Sequence, residues 1–569
     1  MVLLTRRMHT TPGQSTVQPV ALSRVFGPLD WRAGRALSWQ LFGIAVVWAY
    51  VVALHFQNDG LWFQGDSPRH LANGLFWLDL LKELPSDPKQ FALAYYARYP
   101  VIHPTAHPPG FYVIEALAFA LFGVSPVVAK GIVLLFALMA AIYLTLWLRR
   151  WIAPEAGWAA GLLLLQPSVI LWSHSVMLNT PSMALGLGAL WHMRRWLESP
   201  TSRHVYPAMI LTVAGILTYV TTGIVVLIFF GWVIAGRHWA VLKDRRAWLL
   251  APVLLLVLIP WAIVITRWAP AHLTSVYDSH EGVFFLKRWS YYAEALPVLF
   301  TPLLLGLAAI GTVVGLTDRS QRRETTSVVV WSLVCYAVFS YIVSRDQRYV
   351  MLLGPAAVVL TTLGLWSLAR RTAPRLSAKP AWIFLAAVAV LTGVHLWTAA
   401  FSRMPRATGF KEVAAYFKEV SPDEPVFYDG KYDGNFSLYM RLNDPEFRRG
   451  VVLGHKLLYA SAIFPEWRLK EFVSSPADVV ERIQSQCGCR WLAIEQSPGV
   501  DQVAADRYLR EAVRGPEFEF VKTFTMNATT SLSIDVYRFL LPVKSREEIE
   551  LNFPYLGEGT KFRVKPMQR

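Results

Sequence analysis

Long runs of apolar residues separated by short polar segments dominate the chain. Most runs approach the roughly 17 to 25 residues that a membrane-spanning helix needs, and the shortest ones are doubtful by that criterion. The pattern predicts about eleven transmembrane helices, over residues 36–56, 126–148, 157–177, 181–196, 206–217, 222–235, 247–268, 296–316, 327–343, 349–368 and 381–401.

Basic residues between the runs predict the orientation of the chain. The basic loops at residues 149–150, 194–203, 237–246, 319–323 and 370–379 all fall on the cytoplasmic side if segment 110–124 does not cross the membrane. That segment has an apolar stretch of about fourteen residues with Glu115 inside it, which favours an interfacial or re-entrant helix. The alternative, a short extra span, would invert every later loop.

The ends of the chain follow from this orientation. Residues before 36 are too polar and too broken for a cleavable signal peptide, so we expect the first run to remain as a membrane helix with a cytoplasmic N-terminus. Residues 57–125 then form a long external loop, and the C-terminus is external.

Composition supports a membrane protein and changes the meaning of the charge. The 569 residues are 54% hydrophobic, include 23 Trp and carry a formal charge of +16, and the mean hydropathy is +0.36. These values exclude an ordinary soluble protein. The basic residues flank apolar runs, so membrane orientation explains them better than nucleic-acid binding does. Three cysteines predict neither a zinc framework nor a disulfide scaffold.

Residues 402–569 differ from the rest because helix and strand patterns alternate there. We predict helices over 409–420, 477–484 and 506–513, and strands over 424–428, 436–441, 491–495, 518–525 and 531–539. The alternation predicts a small α/β domain outside the membrane. The expected organisation is a transmembrane domain over residues 1–401, followed by this extramembrane domain over residues 402–569.

Asp66 is the first candidate for chemistry. It lies in the polar segment after the first apolar run, where an ionisable group beside a membrane assembly is costly to keep. Arg69, His70, His103 and His107 follow before the next long run. Each candidate also has a structural alternative. Asp66 could cap a helix, and the histidines could be satisfied interfacial side chains. Arg348, much later in the chain, could lie in an exposed charged loop, where an ion pair contributes little to stability.

The motifs, in order, resemble a known family. They are G-D-S-P-R-H at 65–70, H-P-P-G-F-Y at 107–112, F-G-V-S at 122–125 and R-Y-V-M-L-L-G-P at 348–355. This order resembles the GT-C membrane glycosyltransferases, in the branch of the protein O-mannosyltransferases and the lipid A aminoarabinose transferase. The resemblance implies a mostly α, polytopic GT-C fold with a C-terminal extramembrane α/β domain.

The resemblance also implies an activity, the transfer of a hexose or pentose from a polyprenyl-phosphate carrier to a hydroxyl acceptor. The acceptor would be a glycan, lipid or protein on the non-cytoplasmic face of a bacterial inner membrane. Asp66 would be the base of a single inverting displacement. The donor phosphate would be bound by Arg69, His107, Arg348 and Tyr349, and His70, His103 and Asn179 would contact substrate.

Three departures from the family pattern limit what is carried over. Asn179 stands where many relatives have a second acid, Ser67 stands where many have Glu, and Ala106 replaces an acid that in some relatives helps to hold a metal. We therefore predict neither a metal nor another cofactor. Two other functions stay open: a transporter or flippase of lipid-linked sugars, and a ligase or polymerase that uses a pyrophosphate carrier.

Overall fold

The computed structural model describes residues 31–62, 65–103, 105–268, 286–342, 345–462, 468–544, 549–552 and 561–565. All regular secondary structure in the described part of residues 31–401 is helical. The helices are α1 Trp31–His55, α2 Asp66–Glu83, α3 Pro88–Arg98, α4 Gly110–Phe122, α5 Pro126–Trp151, α6 Gly161–Leu164, α7 Pro167–Ser173, α8 Asn179–Glu198, α9 Val205–Thr218, α10 Ile224–Ala235, α11 Arg245–Trp268, α12 Leu286–Phe300, α13 Pro302–Thr317, α14 Arg322–Tyr341, α15 Leu353–Thr372 and α16 Pro380–Phe401. Short 3-10 helices lie between them, among them Pro154–Ala160, Val220–Gly223 and Gln347–Leu352.

Fewer helices meet a membrane-spanning criterion than the sequence predicted. Among the described residues, five helices are long and apolar enough to cross a membrane, or seven if each of two bent helix pairs counts as one span. The predicted runs at 181–196, 206–217, 222–235 and 327–343 are not among these seven, because their helices are too short or not apolar enough for the criterion. The runs at 157–177 and 296–316 bend by 62° and 112°, and those at 206–217 and 222–235 lie in helices of 14 and 12 residues.

Helix α4 is too short to cross a bilayer. Its 13 residues rise about 20 Å, whereas the hydrocarbon core is about 30 Å thick. Ile114, Leu117 and Leu121 lie exposed on one side of α4, while Glu115 is fully buried and faces Gly74 of α2. This one-sided exposure agrees with the expected interfacial helix.

The C-terminal part contains the α/β domain that the sequence predicted. Its strands are β1 Ala407–Thr408, β2 Pro425–Asp429, β3 Gly450–Leu453, β4 Tyr459–Ala462, β5 Arg468–Glu471, β6 Trp491–Gln496, β7 Phe518–Thr525, β8 Asn527–Ala528, β9 Ser533–Phe539, β10 Ile549–Asn552 and β11 Lys561–Val564. Its helices are α17 Phe410–Val420, α18 Asp433–Leu442, α19 Gly454–Leu457, α20 Pro476–Arg482 and α21 Ala504–Ala512. A short π-helix, Ile483–Cys487, follows α20.

A five-stranded sheet with the order β3-β2-β6-β9-β7 organises this domain. Strands β3, β2 and β6 are parallel, whereas β9 runs antiparallel to both β6 and β7. Val426 and Tyr428 of β2 pack in the apolar core with α17 and α18, and Phe427 packs in the core with α20 and α21. Helices therefore cover both faces of the sheet.

One predicted strand of this domain is wrong. Residues 436–441 lie in α18, which begins at Asp433. Phe436, Leu438, Tyr439 and Met440 are all buried, and a helix that is buried on every side has no polar face to reveal its period.

Helix α18 attaches the α/β domain to α2. Side chains of both helices belong to one apolar core, and the carboxylate of Asp79 on α2 accepts a hydrogen bond of 2.7 Å from Arg441 on α18. These two side chains are 6% and 5% exposed. Tyr95 donates to Asp79 at 3.2 Å, and Arg441 donates to the Tyr95 hydroxyl at 3.0 Å. The two parts of the chain are therefore joined by buried, paired charges.

Replacing Asp79 by Asn should destabilise the chain. The Arg441 guanidinium would stay buried without its counter-charge, and removing one partner of a buried pair costs about 3 to 5 kcal/mol. We expect a lower unfolding temperature of the purified chain, measured by a thermal scan of tryptophan fluorescence. The matched control is Glu446→Gln, because the Arg448–Glu446 pair is 62% and 61% exposed and should contribute little. Equal shifts in the two variants would contradict the prediction.

Candidate functional site

Asp66 begins α2 and faces the site from the first turn of that helix. The preceding residue, Gly65, is the N-cap, and no side chain caps the helix there. Ser67 fixes the same turn, because its hydroxyl accepts a hydrogen bond of 3.0 Å from the Val176 amide. Helix capping is therefore not the role of Asp66, whose side chain remains 38% exposed.

Arg348 meets Asp66 although 282 residues separate them in sequence. It lies in the 3-10 helix Gln347–Leu352, and its guanidinium donates to Asp66 at 2.8 Å and to Asp346 at 2.6 Å. It also lies over the ring of Trp172, 5.6 Å from the centroid, within the range of a cation–π contact. The side chain is only 12% exposed, so Arg348 does not lie in an exposed charged loop.

The electrostatics keep Asp66 ionised. Burial is the largest influence on this carboxyl and would raise its pKa, but His70, Arg348 and His107 outweigh burial, and the net pKa lies below the usual value. Burial lowers the pKa of His70 itself to about 3, so that ring is neutral near pH 7. The guanidinium of Arg348, in contrast, keeps its positive charge at neutral pH.

A row of rings extends from His70 to Tyr349. Nδ1 of His70 lies 2.8 Å from the hydroxyl of Tyr112, and the rings of His70 and His107 are 5.3 Å apart. The His107 ring is 5.3 Å from that of Tyr219, which is 6.3 Å from that of Tyr349. Two predicted phosphate-binding residues, His107 and Tyr349, thus both lie next to Tyr219.

Asn179 lies beside Arg348. It is the first residue of α8, and its amide donates to the Arg348 carbonyl at 3.4 Å. Asn179, Arg348 and Tyr349 line one small cavity together with side chains from α8, α14 and the turn around residue 222, namely Ser182, Met183, Thr221, Thr222, Ile224, Phe339, Met351 and Leu352. The cavity lies between the 3-10 helix that contains Arg348 and the polar start of α8.

Arg69 faces away from this cavity and toward the α/β domain. Its guanidinium donates to Asp433 of α18 at 3.1 Å, and Arg69 and Asp433 are 35% and 10% exposed. Burial opposes the charged form of Arg69, but Asp433 and Asp66 favour it, and the net pKa is raised. Arg69 is therefore a fixed cation between the first turn of α2 and the second domain.

His103 is fixed through its backbone. Its amide donates to the side chain of Asn73 at 2.8 Å, and the Asn73 amide donates to the His103 carbonyl at 3.4 Å. These contacts define the position of the loop before α4. Within the described part of the chain, no group of three or more His, Cys, Asp or Glu side chains could hold a metal ion.

The structure thus brings together Asp66, Arg348, Tyr349 and Asn179, with His70 and His107 beside them and Arg69 on the outer side. Asp346 and Asp433 belong to the same charge network, and sequence reasoning did not select them. Asp346 lies two residues before Arg348, and this closeness in sequence was a signal that could have identified it. Asp433 had none, because it lies 364 residues beyond Arg69.

Comparison with known proteins supports the motif-based resemblance. Residues 106–264 match the family described as dolichyl-phosphate-mannose-protein mannosyltransferase. No curated protein matches the chain.

Solved structures of membrane enzymes have a similar fold. ArnT from Cupriavidus metallidurans, bound to undecaprenyl phosphate, is 14% identical with a TM-score of 0.56, over 88% of this chain and 98% of that one. Its apo form gives a TM-score of 0.58 over the same shares, again at 14% identity.

The archaeal oligosaccharyltransferase AglB from Archaeoglobus fulgidus is more distant. In complex with an inhibitory peptide and a dolichol-phosphate, it is 12% identical with a TM-score of 0.51, over 90% of this chain and 75% of that one. The chain therefore shares the fold of these structures, which is the GT-C fold that its motifs predicted.

Proposed function

We propose that the chain is a membrane glycosyltransferase that moves a sugar from a polyprenyl-phosphate carrier to a hydroxyl acceptor, with Asp66 as the base. The main support is the ion pair of Asp66 with Arg348, because it places a carboxylate that is 38% exposed against a largely buried cation. The ArnT and AglB structures contain undecaprenyl phosphate and a dolichol-phosphate. A transporter of lipid-linked sugars leaves this pair unexplained.

The proposed reaction is a single inverting displacement. The acceptor oxygen forms a bond to the anomeric carbon, the bond from that carbon to the phosphate oxygen breaks, and its electron pair stays on the phosphate. Asp66 takes the proton of the acceptor hydroxyl. Since the carrier phosphate gains negative charge, cations near it stabilise the transition state more than the ground state.

Arg348 connects donor binding to activation of the base. Without donor, its guanidinium is shared by Asp66 and Asp346. A donor phosphate competes for the same N–H groups, and a guanidinium binds phosphate oxygens in a bidentate way. As Arg348 turns to the phosphate, Asp66 loses its counter-charge and becomes a stronger base. Donor binding thereby prepares the site for the acceptor.

The other predicted site residues receive roles that agree with their surroundings. Tyr349 and His107 lie near the donor phosphate, Asn179 near the sugar, and Arg69 at the outer rim. His103 contributes through the loop that Asn73 holds. His70 is buried against Tyr112, so we assign it a positioning role for the first two turns of α2 in place of the sugar contact expected from the sequence.

The α/β domain supports an orientation for the proposed enzyme. Cys487 and Cys489 form a disulfide there, which the sequence had not predicted. Disulfides persist in oxidising compartments. We therefore propose that residues 402–569 lie on the non-cytoplasmic side of a bacterial inner membrane, where lipid-linked sugars meet their acceptors, and that residues 1–401 form the membrane domain.

Asp66→Asn should abolish transfer without abolishing carrier binding. An amide cannot take the proton of the acceptor, and loss of a general base costs about 10²- to 10⁴-fold in rate. Transfer is measured with a radiolabelled polyprenyl-phosphate sugar and membrane extract as the acceptor source. Binding of undecaprenyl phosphate is measured in parallel. Transfer at the native rate by this variant would remove Asp66 as the base.

Arg348→Ala should weaken donor binding. Hydrogen bonds to charged groups contribute about 1.5 to 3 kcal/mol, which corresponds to about a 10- to 100-fold loss of affinity for undecaprenyl phosphate. Arg348→Lys keeps a point charge without the bidentate geometry, so its affinity should be intermediate. An alanine variant with native affinity would contradict the phosphate role.

The pH dependence of kcat/KM should report the pKa of Asp66 in the free enzyme. Because this pKa lies below the usual value, the active carboxylate is retained as pH falls until the low pKa is passed. Arg348→Gln removes the charge that lowers the pKa, so the acidic limb should move to higher pH. In Asp346→Asn, Arg348 has one competing carboxylate fewer, and the limb should not move upward. An unmoved limb in Arg348→Gln would contradict the proposed electrostatics.

A further inference from the structure

A second cavity lies at the junction of the first external segment with the α/β domain. Its volume is about 590 Å³, within the size range of small-molecule sites. It is lined by the residues after α1, by the start of the α/β domain and by the end of β7, namely Gln57, Asn58, Asp59, Arg406, Thr408, Gly409, Glu412, Phe524, Thr525, Met526 and Asn527. None of these residues belongs to the site around Asp66.

Close backbone contact builds the walls of this cavity. Gly60 has a φ of +79°, and a Cβ there would lie 2.6 Å from the Ala407 carbonyl oxygen. Gly409 has a φ of +110°, and a Cβ there would lie 3.1 Å from the Met526 sulfur. These are conformations and spacings that glycine alone adopts without strain. The segment after α1 and the start of the α/β domain can therefore approach closely enough to form one site.

A buried cation fixes the segment after α1, which forms one wall of the cavity. The ammonium of Lys130, which is 2% exposed, donates to the carbonyls of Gln57 and Gly60 at 2.8 Å each. In the same segment, Asp59 accepts a hydrogen bond from the hydroxyl of Tyr439. The carbonyls, the carboxylate and the cation are thus fixed before any ligand binds, which lowers the entropic cost of binding.

The lining has the chemistry that recognises sugar hydroxyls. Amides, carboxylates and hydroxyls supply both donors and acceptors, and they surround the ring of Phe524. That ring is 5.5 Å from the ring of Tyr416, and the Lys522 ammonium lies 4.3 Å from its centroid. Such rings offer apolar faces to the C–H groups of a sugar. The lining carries two carboxylates and one guanidinium, and the Lys522 ammonium beside Phe524 balances the charge, so the cavity favours a ligand without net charge.

The cavity is connected to the reaction site by helix α18. Asp433 near the start of α18 holds Arg69, and Tyr439 of the same helix holds Asp59 at the cavity. From Asp433 to Tyr439, α18 advances by six residues, which corresponds to a rise of about 9 Å. An acceptor with several sugar units is long enough to occupy the cavity while its terminal hydroxyl reaches Asp66.

We propose that this cavity binds an uncharged oligosaccharide portion of the acceptor, through the side chains of Glu412 and Asn527 and the ring of Phe524. The proposal adds to the proposed glycosyltransferase function and depends on it, because only that function makes the bound glycan an acceptor. It assigns a glycan, in preference to a peptide or a phosphorylated lipid headgroup, as the acceptor class.

The test is saturation-transfer NMR on the full chain in lipid nanodiscs, which lack the sugar headgroups of common detergents. The ligands are maltotetraose, cellotetraose, mannotetraose and chitotetraose, with trigalacturonate as the anionic probe and a neutral hexapeptide as the peptide probe. We expect at least one neutral tetrasaccharide to bind at about 10 mM or below. The Glu412→Ala/Asn527→Ala variant should bind it about tenfold more weakly, because each lost hydrogen bond contributes modestly.

Glu419→Ala is the matched control, since Glu419 is exposed on the same helix as Glu412 and lies outside the cavity lining. This variant should bind the tetrasaccharide like the native chain. The cavity variant and Glu419→Ala should unfold at the temperature of the native chain, which shows that both are folded. Asp66→Asn should keep the oligosaccharide binding, so a failure of the proposed catalytic role is distinguishable from a failure of the cavity.

Three results would overturn the proposal. The first is that no neutral tetrasaccharide binds, and the second is equal binding by the native chain and the cavity variant. The third is tighter binding of trigalacturonate or the hexapeptide than of every neutral tetrasaccharide, which would assign the cavity to an anionic or a peptide ligand.

Discussion

Asp66 and Arg348 come together across 282 residues of sequence because a charge that is largely removed from water requires a partner. This requirement extends through the whole region. Arg348 is shared between Asp66 and Asp346, Arg69 is paired with Asp433, and Arg441 is paired with Asp79. The positions of α2, α18 and the turn before α15 are therefore linked by ion pairs as well as by apolar packing.

This pairing has a consequence for how an anion enters. The cations that would bind a carrier phosphate are already engaged with carboxylates, so donor binding is an exchange of partners. Such an exchange costs less than bringing a phosphate to an empty hydrophobic site, because the guanidinium stays solvated by oxygen atoms throughout. In the proposed mechanism, this exchange activates Asp66 only after the donor has bound, which would order the two substrates.

The sequence was informative where a local pattern carries the signal. The motif at 65–70 contains Asp66 and Arg69, the motif at 348–355 begins with Arg348, and both lie at the site. Alternation of strand and helix patterns predicted the α/β domain. The fold class followed from these features, since it depends on composition and on the order of motifs along the chain.

Other features depend on contacts between distant segments, and the sequence could not reveal them. The partner of Arg69 lies in a helix that was predicted as a strand, because α18 is buried on all sides. Hydropathy along the sequence does not report the bends of 62° and 112° within two of the predicted spans. Whether Cys487 and Cys489 pair also depends on the backbone between them, which follows a short π-helix and turns at Gly488.

The attachment of α18 to α2 limits how such an enzyme can be recombined. Helix α18 contacts the first turn of α2 through Asp433, the middle of α2 through Arg441 and the segment after α1 through Tyr439. A chimera that exchanges the α/β domain alone would replace all three of these contacts and leave Arg69 without the Asp433 carboxylate. The exchangeable unit is accordingly the α/β domain together with residues 57–125, and a designed enzyme with altered acceptor preference would have to inherit both from the same parent.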